Sequence, residues 1–543
     1  MYQPLIAPVA DSLGLSALLA AVPLLVVFVL LGVLRVKAHW AGLAGLGTAL
    51  LIAVIAYGMP ADLALLSAGQ GAAFGVLPIL WIVITAIWLY QLTVRSGRFE
   101  DLRATFALLS PDPRIQAVVI AFCFGGLLEA LAGFGAPVAI TGMMLVAIGF
   151  PPLRAAVTVL LANTAPVAFG ALSTPIITAG ELTGIPYEHI GAVVGRQTPL
   201  LAVIVPVLLV LVVDGRRGVR QTWPAALVTG VAFAAAQFVC ANYISVPLTD
   251  IVSALVGAVA LVVLLRFWQP AGGDEARTRI IGAAEIGENA DRQLSAGRIA
   301  LALFPYLLVI AVFSVVKLWK PAGAALAATD VEIPWPGLHD SLLTASGEPA
   351  GSAVFTLSWL STPGTLLLLC GFGVALVYRI KLLEAVAELG RTVVSMRWSG
   401  LTIVSVLALA YVMNQSGQTT TIGTAIAGIG SAFAFFSPVL GWIGVAVTGS
   451  DTSANALFAS LQQVAAQRIG VDPALLVAAN TSGGVMGKMV SPQNLTIVAT
   501  AVGMAGSEAK ILRDVLKWSI GLLLALCALV FLQAGVLSWM LPR

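Results

Sequence analysis

Long apolar runs recur along almost the entire chain and constrain its fold more than any other feature of the sequence. A bilayer crossing needs about 20 mostly apolar residues, and eleven runs meet this requirement. The runs are 13–34, 41–59, 72–94, 115–134, 190–213, 223–241, 247–266, 298–318, 360–378, 398–414 and 518–540. Only 10% of the residues are charged, against about 25% in soluble domains. The sequence therefore predicts a single all-α polytopic membrane domain over residues 1–543.

Four further apolar stretches are interrupted by Gly, Pro, Ser, Thr and Asn. They span 136–150, 155–175, 421–448 and 453–504. Each stretch is predicted to be a full span, a broken helix or a re-entrant hairpin. Counting these stretches, the chain is expected to have about 12–14 transmembrane segments.

Basic residues collect in the short loops, and such residues favour the cytoplasmic side of a membrane. If all basic loops are cytoplasmic, the loop 267–297 is cytoplasmic and the N-terminus lies on the outer, periplasmic side. The loop 319–358 has four acidic residues against a single lysine, so it is predicted to be periplasmic. The basic residues are Arg35, Lys37, Arg95, Arg98, Arg103, Arg114, Arg216, Arg217, Arg220, Arg277, Arg279, Arg292, Arg298, Arg379, Lys381, Arg391, Arg397, Lys510, Arg513 and Lys517.

Two segments of the chain resemble each other at one constant offset of 317 residues. LLANTAPVAFGALSTP at 160–175 aligns with VAANTSGGVMGKMVSP at 477–492, which superimposes two Asn-Thr pairs and two prolines. The alignment predicts two repeats, in the regions 115–213 and 421–504. If 136–150 and 155–175 both cross the membrane, the first Asn-Thr segment runs outward. If 421–437 and 439–462 both cross, the second runs inward, and the repeats are then expected to be inverted. A weaker upstream match, with a shifted offset, pairs Glu129 with Asp451.

Inverted repeats with interrupted helices are typical of secondary transporters, whose substrate sites lie where the helices break. A helix N-terminus carries roughly +0.5 charge, so a broken helix can hold a carboxylate. The amides and hydroxyls near the predicted breaks can donate to such a group, and two cations, Lys488 and Arg196, lie in or near these regions. The predicted substrate-binding residues are Asn163, Thr164, Ser173, Thr174, Asn480, Thr481, Lys488, Ser491, Gln493 and Arg196.

Simpler structural roles exist for the same side chains. Asn and Thr also join membrane helices through interhelical hydrogen bonds. A lysine or arginine near a helix end can extend its charge to the membrane surface. These alternatives stay open at the level of sequence.

Two acidic residues lie inside apolar stretches, where a charge at the helix centre costs about 2.5–3.5 kcal/mol. Glu129 stands in LLEALAGFGAP, and Asp451 stands in TGSDTSANALF. A buried carboxyl can bind and release a coupling proton, so both are predicted proton-coupling residues. The alternative is a structural carboxyl paired with a buried base.

Other functions have little support in the sequence. The charges form no basic stripe of the kind that nucleic acid needs, and no H-E-x-x-H or comparable cluster suggests a metal or an intramembrane enzyme. No cofactor is expected. The four cysteines, Cys123, Cys240, Cys370 and Cys527, stand alone inside apolar runs and are predicted to be small core residues. The sequence has no filter-like repeat of the kind that a channel would need.

Four segments together resemble the L-lactate permease family: GGLLEALAGFGAPVAI at 125–140, LLANTAPVAFGALSTPI at 160–176, GSDTSANALF at 449–458 and AANTSGGVMGKMVSPQNL at 478–495. The similarity in length and spacing covers essentially the whole chain. It implies a bacterial inner-membrane permease with two inverted repeats and helical hairpins. It also implies uptake of L-lactate, and in some members D-lactate and glycolate, together with a proton.

Proton coupling also agrees with elementary electrostatics. An anion that enters a cell with a negative interior works against roughly 2.3 kcal/mol per 100 mV. One proton carried with one lactate cancels that charge. The alternative is a sodium-coupled transporter for small carboxylates, because unwound segments rich in Asn and Thr also suit a sodium ion.

Overall fold

Helices account for almost all regular structure in the computed structural model, which describes residues 1–107, 109–133, 135–281, 295–343, 350 and 353–542. A helix satisfies its own backbone hydrogen bonds and is therefore the structure that an apolar chain adopts in lipid. The first four helices are Leu13–Phe28 (α1), Ala38–Ile55 (α2), Ala61–Phe74 (α3) and Trp81–Arg95 (α4). The next nine are Arg98–Ala107 (α5), Pro113–Ala117 (α6), Gly125–Ala132 (α7), Ala136–Ile148 (α8), Pro152–Ala162 (α9), Gly170–Thr183 (α10), Tyr187–Ala202 (α11), Val205–Val239 (α12) and Thr249–Phe267 (α13).

The second half of the chain is also helical, apart from one small sheet. Its helices are Gly273–Ile280 (α14), Ala296–Leu318 (α15), Lys320–Ala327 (α16), Pro363–Val377 (α17), Leu382–Ser395 (α18), Arg397–Gln415 (α19), Gln418–Ala427 (α20), Phe433–Thr448 (α21), Asp451–Ile469 (α22), Pro473–Gly487 (α23), Pro492–Ala501 (α24) and Glu508–Gln533 (α25). Two short antiparallel strands, Val331–Pro334 (β1) and Val354–Leu357 (β2), pair Val331 with Leu357. Both strands lie in the loop that was predicted to be periplasmic.

The all-α polytopic membrane fold is confirmed, with a lower count of spans than the sequence predicts. In the described part of the chain, ten helical stretches are long and apolar enough to cross a membrane, or eleven if the bent pair Pro152–Ala162 and Val167–Thr183 is one span. One stretch, Tyr187–Ile244, has 58 residues, or about 87 Å of helix, and it is interrupted at Gly215. It is therefore long enough for two crossings. The apolar helices α8 and α17 are shorter than a span, which also lowers the count.

Helices are broken at the positions where the two predicted repeats align. Within α10, Ala171, Leu172 and Ser173 have left-handed φ angles of 45–62° just before Pro175. In the second copy, α23 gives way to a 3-10 turn at Lys488–Val490, and α24 begins at Pro492. The offset of 317 residues superimposes Ala171 on Lys488. The predicted breaks are therefore confirmed, and the inverted orientation of the two copies stays a prediction.

Each repeat also contains an earlier break and a tight hairpin. The first copy turns at Gly135 (φ +87°) before α8, and the second turns at Gly449 (φ +74°) before α22. The hairpins α8–α9 and α22–α23 each turn at a left-handed glycine, Gly149 and Gly470, with a proline at or next to the start of the following helix. Side chains with a Cβ adopt such φ angles at a cost of about 1–2 kcal/mol, which explains the glycines at these turns.

The basic loops contact one another at one face of the helix bundle. Arg95 pairs with Glu384 and Glu388 on α18, and Asp101 on α5 pairs with Arg298 at the start of α15. Burial opposes the charge of Asp101, but Arg298 and Arg98 together outweigh it and hold the pKa of that carboxyl below its usual range. These contacts place loops that are distant in sequence on a common face. That this face is cytoplasmic stays a prediction.

A buried arginine joins three segments at the same face. Arg114 is fully buried and donates two hydrogen bonds to Asp112, at 3.0 and 2.7 Å. It also donates to Gln221 on α12 and to the carbonyl oxygen of Ala271 beyond α13. Asp214 lies 3.5 Å away and pairs with Arg279 as well.

The four cysteines are free and buried, in agreement with their predicted role as core residues. They are distributed over separate helical segments of the chain.

Glycines allow α21 and α23 to pack with their backbones in contact. A Cβ at Gly441 would lie 1.9 Å from the carbonyl oxygen of Asn480, and a Cβ at Gly483 would lie 2.0 Å from that of Pro438. Small residues at such contacts are how membrane helices approach closely. The second hairpin is thereby fixed against the helix that precedes it.

We expect Gly483→Ala to destabilise the protein by about 1–3 kcal/mol or more, because the added methyl group meets backbone that cannot yield. The measurement is the midpoint of thermal unfolding in detergent, and fluorescence-detected size-exclusion chromatography reports the folded fraction. Gly47→Ala is the matched control, since a Cβ there meets nothing within 4 Å. Equal midpoints for the two variants would contradict the close packing.

Arg114→Ala is expected to cost about 3–5 kcal/mol, because it leaves the buried Asp112 without its cation. Arg217→Ala removes an exposed ion pair with Glu275 and should cost about 0–1 kcal/mol. The same unfolding assay compares the two. An Arg114→Ala variant as stable as Arg217→Ala would show that the network at this face contributes little.

Candidate functional site

Four helix breaks meet around one small cavity of about 50 Å³. They are the turn after α7, the left-handed segment of α10, the turn between α21 and α22, and the turn between α23 and α24. The lining residues are Glu129, Gly133, Val167, Gly170, Ala171, Pro175, Gly449, Ser450, Asp451, Thr452, Lys488 and Gln493. Backbone that leaves a helix within a membrane is tolerated where it lines such a cavity. The two repeats thus contribute two breaks each to a common site.

An ion pair between the two repeats lies at this cavity. The Nζ atom of Lys488 is 2.6 Å from Oε1 of Glu129, and both side chains are buried. Lys488 also donates to the carbonyl oxygen of Gly133, at 3.0 Å. Asn163 donates from Nδ2 to Oε2 of Glu129, at 2.8 Å. Glu129 therefore has a partner on each oxygen, as a buried carboxylate requires.

Asp451 lines the same cavity and has a different environment. It is the first residue of α22, it is 5% exposed, and neither of its carboxyl oxygens has a hydrogen-bond partner among the described residues. It interacts electrostatically with Lys488. The cavity therefore holds a second buried carboxyl near the lysine.

The weaker upstream match between Glu129 and Asp451 is wrong. Glu129 lies in α7, four residues before the turn at Gly133, whereas Asp451 begins the helix that follows the turn at Gly449. The two carboxyls approach the cavity from opposite sides of their respective breaks. They are neighbours of one site and are not equivalent positions of the repeat.

The two Asn-Thr pairs have different surroundings. Asn163 follows the last residue of α9 and contacts Glu129, while Thr164 donates to the carbonyl oxygen of Leu161. Asn480 and Thr481 lie inside α23, and both donate to Oδ1 of Asn455 on α22. The second pair thus joins two helices of one hairpin and does not line the cavity, which is the structural role left open by the sequence.

Two more predicted residues donate to backbone carbonyls at the break in α10. Thr174 donates to the carbonyl oxygen of Ala171, within the left-handed segment. Ser173 donates to that of Val246 and so attaches this segment to the short 3-10 turn Val246–Leu248 before α13.

Ser491, Gln493 and Arg196 complete the set of predicted residues. Ser491 accepts a hydrogen bond from the backbone N–H of Asn494 and so caps α24. Gln493 lines the cavity. Arg196 is not brought to the site, because its guanidinium bonds Asn242 and the carbonyl oxygen of Met540 near the C-terminus.

Sequence reasoning missed one buried acidic residue close to the site. Asp250 is fully buried in the first turn of α13 and interacts electrostatically with Glu129 and Lys488. It lies near the start of the apolar run 247–266, and an acidic residue at the start of such a run is easily assigned to the preceding loop. The signal that could have identified it is its place three residues inside that run.

The arrangement offers one cation to more than one carboxylate. Lys488 is held by Glu129, and the cavity beside it also receives Asp451 and the first residues of α22. A small substrate carboxylate that enters the cavity would compete with Glu129 for the lysine. Proton binding to Glu129 would remove that competition, so the site can link a proton to an anion.

The family model and the sequence relatives agree on one family. The family model described as L-lactate permease matches residues 16–537. The glycolate permease GlcA of Escherichia coli K12 is 44% identical over 558 residues, with 100% of this chain and 99% of that protein covered. The L-lactate permease of Bacillus subtilis 168 is 43% identical, with 98% and 99% covered. The solved YdaH transporter of Alcanivorax borkumensis is 16% identical, with 87% and 88% covered and a TM-score of 0.45.

Lys488→Met is expected to destabilise the protein by about 3–5 kcal/mol, because Glu129 then stays buried without its cation. The double variant Glu129→Gln, Lys488→Met removes both charges and should recover most of that loss. Thermal unfolding midpoints of the wild type, both single variants and the double variant complete the cycle. Additive losses would show that the two side chains do not act as a pair.

Proposed function

The chain belongs to the L-lactate permease family, and we propose that it takes up L-lactate, together with D-lactate and glycolate, across the bacterial inner membrane by proton symport. The relatives at 43–44% identity include one named for L-lactate and one named for glycolate. Both substrates are small monocarboxylates with a hydroxyl group on the neighbouring carbon. The proposal therefore concerns this shared chemistry.

The observation that carries the proposal is the buried ion pair of Lys488 with Glu129 at the cavity. Glu129 holds the lysine when it is ionised. When Glu129 binds a proton, its attraction for the lysine falls, and Lys488 becomes available to the carboxylate of the substrate. Lactate without a proton would leave Glu129 ionised, buried and without its cation, which costs several kcal/mol.

Charge balance makes both forms of the site able to cross. With Asp451 and Asp250 protonated, the empty site holds one positive and one negative charge, so it is neutral. The loaded site holds a neutral Glu129, a charged Lys488 and a substrate anion, so this set is neutral as well. Since a net charge of one works against roughly 2.3 kcal/mol per 100 mV, a neutral site can reorient in both directions under the membrane potential.

The cavity suits a short acid with a hydroxyl group. Its volume of about 50 Å³ accepts only a few water-sized groups. Ser450, Thr452 and Gln493 supply polar groups to its wall, and the N-terminus of α22 adds a partial positive charge. We assign recognition of the 2-hydroxyl to these side chains and recognition of the carboxylate to Lys488. The proposal gives the helix-joining pair Asn480 and Thr481, and the remote Arg196, no contact with the substrate.

Glu129→Gln is expected to reduce pH-gradient-driven accumulation of labelled L-lactate at least tenfold in proteoliposomes. Glutamine cannot release a proton, so the variant should keep lactate counterflow, in which labelled and unlabelled lactate exchange at equal pH. Glu332→Gln, at an exposed carboxyl of β1, is the matched control. Accumulation by Glu129→Gln at the wild-type level would contradict the role of this carboxyl.

The same vesicles distinguish proton coupling from sodium coupling. We expect lactate accumulation to survive complete replacement of sodium by choline. A membrane potential imposed with valinomycin, at equal pH on both sides, should drive little uptake because the loaded site is neutral. Loss of accumulation in choline would overturn proton symport in favour of a sodium-coupled carboxylate transporter.

A further inference from the structure

Asp250 is a buried carboxyl that neither the ion pair nor the cavity accounts for. It lies in the apolar stretch Val246–Phe267, which is long enough to cross a membrane. Its exposed fraction is 0%, and both of its carboxyl oxygens lack a hydrogen-bond partner among the described residues. No backbone N–H of α13 is capped by a side chain, so helix capping does not explain it. A carboxyl placed in this way is costly and is a functional residue by default.

Two contacts fix the position of Asp250 relative to Glu129. At one end, Arg114 at the start of α6 donates to a carbonyl oxygen four residues beyond the end of α13. Deeper in the bundle, a Cβ at Gly126 would lie 3.5 Å from the Cβ of Ala254. α13 therefore runs antiparallel to α6 and α7. One helical turn from this contact lie Glu129, towards the C-terminus of α7, and Asp250, towards the N-terminus of α13. Asp250 therefore faces the turn of α7 that carries Glu129.

The titratable groups that interact with Asp250 belong to three elements. They are Glu129 on α7 and Lys488 after α23, together with Cys240 at the end of α12. The hydroxyls next to Asp250 are directed elsewhere, since Thr249 and Ser253 both donate to backbone carbonyls. Glu129 is the carboxyl among these groups. No hydrogen bond joins it to Asp250, so a proton exchanged between them has to pass through water.

We infer that Asp250 is a second proton site, which delivers the coupling proton to Glu129 when lactate binds. The inference rests on the proposed proton symport. In the empty site Asp250 carries the proton and Glu129 is ionised against Lys488. When the substrate carboxylate displaces Glu129 from the lysine, the O–H bond of Asp250 breaks and its proton binds Glu129. A new proton from the outer solution then reaches the buried Asp250 through water on the side from which lactate entered, so one lactate and one proton have entered the site.

This sequence of steps keeps Glu129 neutral at the moment when it loses its cation. Glu129 is neutralised as it loses its cation, and the negative charge passes to Asp250 only until the next proton arrives. Glu129 therefore does not have to wait for a proton from solution while the cavity is filled. Asp250 thus links the rate of substrate entry to the supply of protons on the side from which lactate binds.

Asp250→Asn tests the inference, because asparagine has the shape of the protonated side chain and cannot release a proton. We expect pH-gradient-driven lactate accumulation in proteoliposomes to fall at least tenfold and the pH dependence of the initial uptake rate to flatten. Counterflow of labelled lactate should stay within twofold of the wild type. Ser253→Ala, one turn further along the same buried helix face, is the matched control and should resemble the wild type in all three assays.

Two outcomes would overturn the role of Asp250. Wild-type accumulation and pH dependence in Asp250→Asn would show a carboxyl that stays protonated throughout. Loss of counterflow together with accumulation, with Ser253→Ala unaffected, would show that Asp250 is needed to form the loaded site. The Glu129→Gln variant separates these failures from failure of the proposed symport, because its loss of accumulation does not depend on Asp250.

Discussion

Lipid offers no hydrogen bonds to a polypeptide backbone, so every helix that breaks within the membrane has to bury its break in protein. This constraint governs the centre of the molecule. Four breaks, two from each repeat, are enclosed together, and the cavity forms between them. At the breaks, Thr174 donates to the carbonyl oxygen of Ala171 in the first copy, and Ser491 accepts from the backbone N–H of Asn494 at the start of α24 in the second. These hydrogen bonds fix the backbone around the cavity.

The charged side chains are also paired in two places, at one face of the helix bundle and at the cavity. At the face with the basic loops, guanidiniums and carboxylates form networks such as the one around Arg114, which connect segments that are far apart in sequence. At the cavity, a single cation is present among the lining residues, and it comes from the second repeat while its partner Glu129 comes from the first. The ion pair thus joins the two copies beside their helix breaks. In the proposed cycle, this ion pair breaks when lactate binds and re-forms after lactate is released.

The sequence is sufficient for the membrane class and for the two aligned breaks before Pro175 and Pro492, because apolar length and proline act locally. The aligned prolines Pro175 and Pro492 both follow a break in the structure. The roles of the two Asn-Thr pairs could not be predicted, since α9 ends at Ala162 whereas α23 continues to Gly487. Identical dipeptides therefore fall at a helix end in one copy and inside a helix in the other. Such differences depend on helix rotation and packing, and a pairwise alignment does not contain them.

The buried cysteines have a practical consequence for studies of the transport cycle. A thiol enclosed by packed helices is inert towards water-soluble reagents, and all four native thiols are enclosed in this way. The unmodified protein is therefore already a silent background for thiol labelling. Single cysteines introduced around the cavity would report which side of the membrane reaches each position as the site reorients, without prior removal of the native ones.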